Sequence, residues 1–457
     1  MGEIIAVLNK MLWGLPMIGL LCITHCVMTA KTGVVQRFIP KAITLSFKKD
    51  SSAEGDISPF QALTTSLAST IGTGNIIGLG TAVALGGAGA IFWCWVSGVL
   101  GIATKYAESL IAVKYRIKTE DNKSAGGAMY VLENRLKLKS LGVMFAFCTM
   151  LASIGVGSGV QINAISETIT NAVPNGRGYT VTIGRLCLPA IPLFVGIISA
   201  IIVCIVIFGG VKSISKVCET LVPFMAGFYI LGNLAILFIN RDVLPETVVL
   251  IVKSAFTKTS AAGGLVGFSV GSAIRYGMAR GLFSNESGMG SAPIIASAAK
   301  TKNPVHQALV SSTGTFWDTV VLCLVTGLVL VSSVIKYESI DISTLLGSEL
   351  TYAAFANIPF IGKPILVFGL ITFAFSTILG WSYYGERCAE YLFGRKSITP
   401  YKIIYISMLI AAPLLSINLI WEIADILNAL MAIPNLIALL LLRNEIKEDS
   451  RNLRQYI

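Results

Sequence analysis

The stretch Ala68-Ser69-Thr70-Ile71-Gly72-Thr73-Gly74-Asn75-Ile76-Ile77-Gly78 sets a serine, two threonines, an asparagine and three glycines inside an otherwise apolar run. Gly72 and Gly74 each cost roughly 1 kcal/mol relative to alanine within a helix, so a helix entering this stretch is expected to unwind. Peptide groups freed at membrane depth must find partners. A zwitterion together with a cation supplies both kinds. Amides of Thr73, Gly74 and Asn75, opening the next half-helix, suit a carboxylate, and carbonyls closing the previous one suit a cation. Gly74 and Gly78 also have the small-xxx-small spacing of close helix packing, and that reading stands beside the first.

A second interrupted stretch runs Gly281-Leu282-Phe283-Ser284-Asn285-Glu286-Ser287-Gly288-Met289-Gly290-Ser291. Two glycine-broken segments at corresponding positions point to the binding site of a secondary transporter, which makes Phe283, Ser284 and Asn285 substrate-site candidates. Glu286 can compensate a substrate ammonium or a cation, or pair with Arg280. Further along, Phe373, Ser376 and Thr377 fall at i, i+3, i+4, on one helix face. Their two hydroxyls and the Phe373 carbonyl, joined by the carbonyls of Ala68 and Ile71, make an oxygen set suited to sodium. Membrane Ser and Thr also commonly bond back to their own helix. Gln161 stands in a glycine-rich apolar run, where a buried amide needs either a substrate or a neighbouring helix as partner. Asp318 and Glu108 read as members of structural pairs rather than proton carriers, and Trp381 as a lid or belt aromatic.

Other chemistries lack material. The two histidines, His25 and His306, are far apart in the chain, and the nine cysteines contain no CxxC pair. A histidine-rich metal centre, a Ser/His/Asp triad and a disulfide framework are therefore not expected.

The elements that position these residues follow from composition. Of 457 residues, 54% are hydrophobic and 13% charged, against about a quarter charged in soluble domains. Eleven apolar segments can be drawn, each near the roughly 20 residues needed to cross a bilayer: 8–30, 59–83, 87–113, 140–165, 188–208, 217–239, 262–297, 308–335, 363–389, 401–418 and 421–443. The seventh holds Arg275, Arg280 and Glu286, so it must be broken or turned toward protein and water. The first is retained as a span rather than a secretory signal, because no clear small-x-small cleavage site follows it before Lys31.

The net charge of +11 matters here through its placement, with no nucleic-acid partner implied. Lys31, Arg37, Lys41, Lys48 and Lys49 fill one loop; Lys114, Arg116, Lys118, Lys123, Arg135, Lys137 and Lys139 fill another. With eleven spans, these and the basic residues at 212–216, 300–302, 387–402 and 443–454 all fall on one side, which should be cytoplasmic. The N-terminus is then outside and the C-terminus inside, in the cell membrane. Segment 33–49, apolar and basic together, suits the inner membrane surface. The chain divides into an extra N-terminal helix with an interfacial segment (1–55), five spans (56–240), five more (241–443) and a tail (444–457). Two odd-numbered halves run in opposite senses, the arithmetic of an inverted repeat. The expected fold is an all-α integral membrane protein.

At these residues the chain resembles the alanine or glycine:cation symporter family, also called sodium:alanine symporters. The resemblance is carried by DISPFQALTTSLASTIGTGNIIGLGTAVALGG from Asp56, GAGAIFWCWVSGVLGIATKYAESLIAVKYR from Gly87, GGAMYVLE from Gly126, RGLFSNESGMGSAPIIASAAKT from Arg280 and ADILNALMAIPNLIALLLL from Ala424. Ala128 and Ser287 stand where that family commonly has proline and alanine. The resemblance implies a leucine-transporter-like fold with one additional N-terminal helix, and uptake of alanine, glycine or close relatives driven by sodium or, less often, protons; the broken span and the paired halves themselves point to alternating access around a midplane site. It further implies that Thr73, Gly74, Asn75 and Gln161 hold the substrate, and that Ala68, Ile71, Ser376 and Thr377 hold the co-transported Na+. A membrane enzyme and a channel are the competing classes; the first needs a catalytic cluster that the scattered acidic residues do not offer.

Overall fold

The computed structural model describes residues 9, 11–48, 54–183, 186–257, 269–337, 340, 345, 347–415, 417–451 and 453. Lys10, Lys49, Arg454 and the opening of the seventh apolar segment, 262–268, lie outside the described residues. The helices are α1 (Leu15–Lys31), α2 (Ile39–Ser46), α3 (Pro59–Thr70), α4 (Ile77–Gly86), α5 (Gly89–Lys114), α6 (Lys139–Ala172), α7 (Ala190–Phe208) and α8 (Gly210–Ile239). There follow α9 (Leu244–Phe256), α10 (Val270–Asn285), α11 (Ala292–Ala296), α12 (Pro304–Lys336) and α13 (Ser348–Ala356). The chain closes with α14 (Gly362–Phe393), α15 (Arg395–Leu414), α16 (Ile417–Leu441) and α17 (Arg443–Ser450). Two short antiparallel hairpins, which an all-helical expectation omitted, sit in connecting loops at 117–125 and 180–189.

Among the described residues, 8 helices are long and apolar enough to cross a membrane. Three expected segments fall outside that set for physical reasons. α1 is 17 residues long, and the chain then leaves its axis by 61° into the run that ends as α2. Val35, Phe38, Ile39, Ala42, Leu45 and Ser46 share the buried face of that run, which packs on the start of α12. The other two are the interrupted spans, α3 with α4 and α10 with α11.

α3 starts sharply. Pro59 occupies its first turn, and Ser58 and Gln61 form a reciprocal capping box, with the Gln61 amide donating to Ser58 Oγ at 3.1 Å and the Ser58 amide to Gln61 Oε1 at 3.0 Å. Such a cap stabilises a helix by about 1 kcal/mol. It stops at Ile71, whose ψ of 95° turns the backbone extended; a single 3₁₀ turn over Thr73–Asn75 leads to α4. α10 stops at Glu286 (φ 54°), and Gly288 and Gly290 at φ 96° and 79° carry the chain into α11. A left-handed backbone at a non-glycine residue such as Glu286 is uncommon.

α5 lies at the centre, 83% buried over its most apolar window, whereas α7 is 28% buried there. α10 and α12 pack along α5, and α14 runs against α3, α6 and α8. Ile198, Ile201 and Ile205 of α7 and Phe224, Leu231 and Phe238 of α8 stay exposed, as expected of lipid-facing walls.

On the side of the basic loops, Arg116 donates to four backbone carbonyls, Ser297, Ala299, Glu54 and Thr301, at 2.8–3.2 Å. A backbone bridge pairs Ile57 with Ala299. The outer ends of both interrupted spans are thereby stitched together. α17 closes the same face: Glu445 bonds Lys114, Tyr115 and Arg135, and Asp449 bonds Lys114 at 2.7 Å. Burial pushes the Glu445 carboxyl up, but hydrogen bonds from Lys114, Tyr115 and Arg135 outweigh it and hold the group below the usual carboxylate range. A lowered native value contributes stability that is complete above the unfolded glutamate value of about 4.3 and is lost as pH falls through the native value. α17 should therefore undock below about pH 4. Spin labels at exposed positions 137 and 447 would report this as a lengthening distance, and Glu445→Gln should be loosened already at neutral pH.

Candidate functional site

The first break collects partners from five helices, α6, α10, α12, α13 and α14. Ser376 Oγ lies 3.2 Å from the Ala68 carbonyl, 3.5 Å from that of Ile71 and 2.9 Å from that of Phe373. Thr377 Oγ1 lies 3.2 Å from the Ile71 carbonyl and 3.0 Å from that of Phe373. The five oxygens named from the sequence are therefore neighbours, all on buried residues. Each hydroxyl has a carbonyl of its own helix and a carbonyl of α3 within reach of its single O–H, so the helix-internal and inter-helix acceptors compete for it. As an uncharged, all-oxygen cluster it suits a hard monovalent or divalent cation rather than a soft metal.

On the other side of Ile71, the Thr73 amide points to Gln161 Oε1 at 3.4 Å, and Gln161 Nε2 donates to the Val156 carbonyl at 3.2 Å. Gln161 follows a π-helical stretch of α6, Ser153–Val160. That widened turn leaves the Val156 carbonyl to the side chain, a departure often found at functional positions. A cavity of about 10 Å³ opens here, lined by Ser69, Thr70, Gly72 and Gly74 from the first break, Phe283, Glu286 and Met289 from the second, Val156 and Gln161 of α6, Thr377 and Trp381 of α14, and Asn428 of α16. That is room for about one water, so the walls are closed in.

Of the substrate candidates, Gly74, Gln161 and Phe283 line the cavity, and Thr73 touches it through Gln161. Asn75, Ser284 and Asn285 face elsewhere. Asn75 Oδ1 accepts from the Gly72 amide at 2.9 Å, while its Nδ2 donates to Asp318 Oδ1 at 2.7 Å and Ser284 Oγ at 2.8 Å. Ser284 Oγ and Thr319 Oγ1 both donate to Asp318 Oδ2 at 2.7 Å, and Asn285 Nδ2 donates to Thr319 Oγ1 at 3.0 Å. Asp318 is thus the hub that joins the two breaks, a role that sequence reasoning missed because its partners lie 34 and 243 positions away. Glu286 accepts from Ser291 rather than pairing with Arg280. Lys105 and Glu108 pair at 3.4 Å, fully buried, as expected for a structural pair.

Trp381 is no belt aromatic, and it lines the cavity, where a lid would sit. It is 1% exposed, its Nε1 donates to the Ser69 carbonyl at 3.2 Å, and its Cβ leaves no space for a side chain at Gly157.

Two helices broken at mid-depth, facing one enclosed polar site among apolar spans, define a multi-pass transporter of the leucine-transporter fold rather than an enzyme. The structure is similar to the crystal structure of MhsT in complex with L-phenylalanine, with a TM-score of 0.57 at 15% identity over 85% of this chain and 89% of that one. It is also similar to a substrate-bound, outward-open Na+-coupled sialic acid symporter, with a TM-score of 0.52 at 11% identity over 97% and 85%. The chain belongs to the sodium:alanine symporter family, whose model matches residues 1–456. It is 45% identical to the sodium/alanine symporter AgcS of Methanococcus maripaludis over 98% of this chain and 96% of that protein. A transporter of Haemophilus influenzae is likewise 45% identical, over 98% and 95%.

Gly72 joins the two sides of the site. Its backbone is extended (φ −139°), and a Cβ there would sit 2.7 Å from Thr377 Oγ1 and 3.4 Å from Gln161 Oε1. Gly72→Ala should therefore displace the Thr377 hydroxyl. Overpacking typically costs about 1–3 kcal/mol, so the thermal midpoint should fall with membrane insertion unchanged. An unchanged midpoint would show that Thr377 and Gln161 give way freely and that the contact at Gly72 is not tight.

Proposed function

We propose that this protein couples inward sodium movement to uptake of a small neutral amino acid, alanine and secondarily glycine, by alternating access around the central cavity. The observation that carries this is the Ile71–Thr73 junction. Within three residues the backbone offers a carbonyl to the oxygen cluster and an amide to the cavity. Sodium held by the Ala68, Ile71 and Phe373 carbonyls with Ser376 and Thr377 would fix the unwound turn and so present the Thr73 and Gly74 amides to the substrate carboxylate. Coupling is then reciprocal: the substrate tightens sodium by the factor by which sodium tightens the substrate. Val156, Phe283, Met289 and Trp381 wall the cavity with apolar surface, which suits a short side chain and rejects a long one by sterics.

Gln161 Oε1 holds the Thr73 amide in this closed arrangement, and a carboxylate would take its place. Glu286, on the cavity wall, offers carboxyl oxygens to the ammonium. Asn75 acts by bracing Gly72 against Asp318 rather than by touching the substrate, as do Ser284 and Asn285 through the same network. Eleven crossings, with two inverted halves at 56–240 and 241–443 after an extra N-terminal helix, accommodate both broken spans. The N-terminus then lies outside and α17 in the cytoplasm. The sealing of the basic-loop face by Arg116 and α17 fits a cytoplasmic gate.

In proteoliposomes, alanine uptake should follow an imposed sodium gradient and saturate; uptake indifferent to sodium would overturn the coupling. Ser376→Ala with Thr377→Val should raise the half-maximal sodium concentration at least tenfold. Asn75→Leu should abolish uptake while insertion persists, since it leaves Asp318 short of a donor at a cost of about 1–3 kcal/mol. Wild-type transport in that variant would remove the Asp318 network from the mechanism.

A further inference from the structure

α16 carries two asparagines on one face, two turns apart. Asn435 uses both hydrogens of its amide: Nδ2 donates to Glu108 Oε2 and to the Gly288 carbonyl, each at 2.9 Å. Asn428 is 1% exposed, and among the described residues neither its Oδ1 nor its Nδ2 has a hydrogen-bond partner. It lines the central cavity opposite Gly72, Gly74 and Glu286. A buried amide with neither half satisfied is rare in native proteins, and within a membrane no bulk water relieves it. Nothing else on α16 explains its presence, since a leucine would fill the same space without that cost.

A carboxamide displays one acceptor and one donor side by side. An α-amino acid displays an ammonium and a carboxylate on adjacent carbons, which is the complementary pair. We propose that Asn428 reads the α-amino acid backbone: Oδ1 accepts from the substrate ammonium while Nδ2 donates to the substrate carboxylate, whose other oxygen faces the first break. The inference rests on the reading of this cavity as the amino-acid site. It makes Asn428 a specificity-determining residue that favours α-amino acids over β-amino acids, in which one more carbon separates the two charges and the single amide cannot span them.

The test uses the full-length protein in detergent and in proteoliposomes with alanine and β-alanine as probes. In the wild type, β-alanine should compete with alanine at least tenfold more weakly; equal competition overturns the proposal without any mutant. Asn428→Leu should weaken alanine at least tenfold, leave β-alanine within a few-fold and, at saturating alanine, keep the half-maximal sodium concentration. Its thermal midpoint without substrate should equal or exceed that of the wild type, because an unsatisfied amide has been removed. A lowered midpoint would mark Asn428 as a structural hydrogen-bonding residue and overturn the proposal. A wild type that ignores alanine altogether would overturn the substrate reading and this inference with it. A wild type that responds, paired with an unchanged alanine to β-alanine ratio in the variant, overturns this inference alone.

Discussion

A helix that ends halfway across a bilayer leaves peptide groups with no water to bond, and each must be met by the protein or by what it carries. Between Ala68 and Ile76 almost every such group can be accounted for. The carbonyls of Ala68 and Ile71 take the Ser376 and Thr377 hydroxyls, that of Ser69 takes the Trp381 indole, and that of Ile76 takes the Thr351 hydroxyl of α13. The amides of Gly72 and Thr73 take the Asn75 and Gln161 side chains. α6, α13 and α14 converge on one short turn because that turn cannot exist without them.

The close packing around this turn follows from the same need. A Cβ at Gly380 would lie 2.7 Å from that of Ser69, and one at Gly157 would lie 2.3 Å from that of Trp381. Ser69 also meets Tyr384 Oη at 2.6 Å. α14 is thus pressed against α3 on one side and α6 on the other, with polar contacts between bare backbones. In an interior this dense a movement at Ile71 cannot be absorbed locally, so a change at the oxygen cluster on one side of Gly72 is felt at the cavity on the other.

Charge is managed by saturation. Asp318, 0% exposed, accepts from Asn75, Ser284 and Thr319, the dense hydrogen bonding that a buried carboxylate requires. Lys105 and Glu108 instead offset each other as an ion pair at 3.4 Å, with the Gly288 amide and Asn435 both donating to Glu108 Oε2. Both arrangements fasten the second break to α5, α12 and α16, so the two interruptions share one polar frame.

By itself the sequence determined that the chain is helical and membrane-embedded, that it breaks at Gly72 and near Glu286, and which hydroxyls face the first break. These follow from local causes: hydropathy over a bilayer's width, glycine's poor helix propensity, and the i, i+3, i+4 geometry of one helix. The tertiary structure decided which side chains reach the cavity. Asn75, Ser284 and Asn285 share the breaks' local sequence yet turn to Asp318, whereas Trp381 and Asn428, in apolar runs with no local mark, form its walls. A side chain's direction at a break is set by whatever distant group can satisfy it, and that partner is chosen by packing between helices rather than by neighbours along the chain.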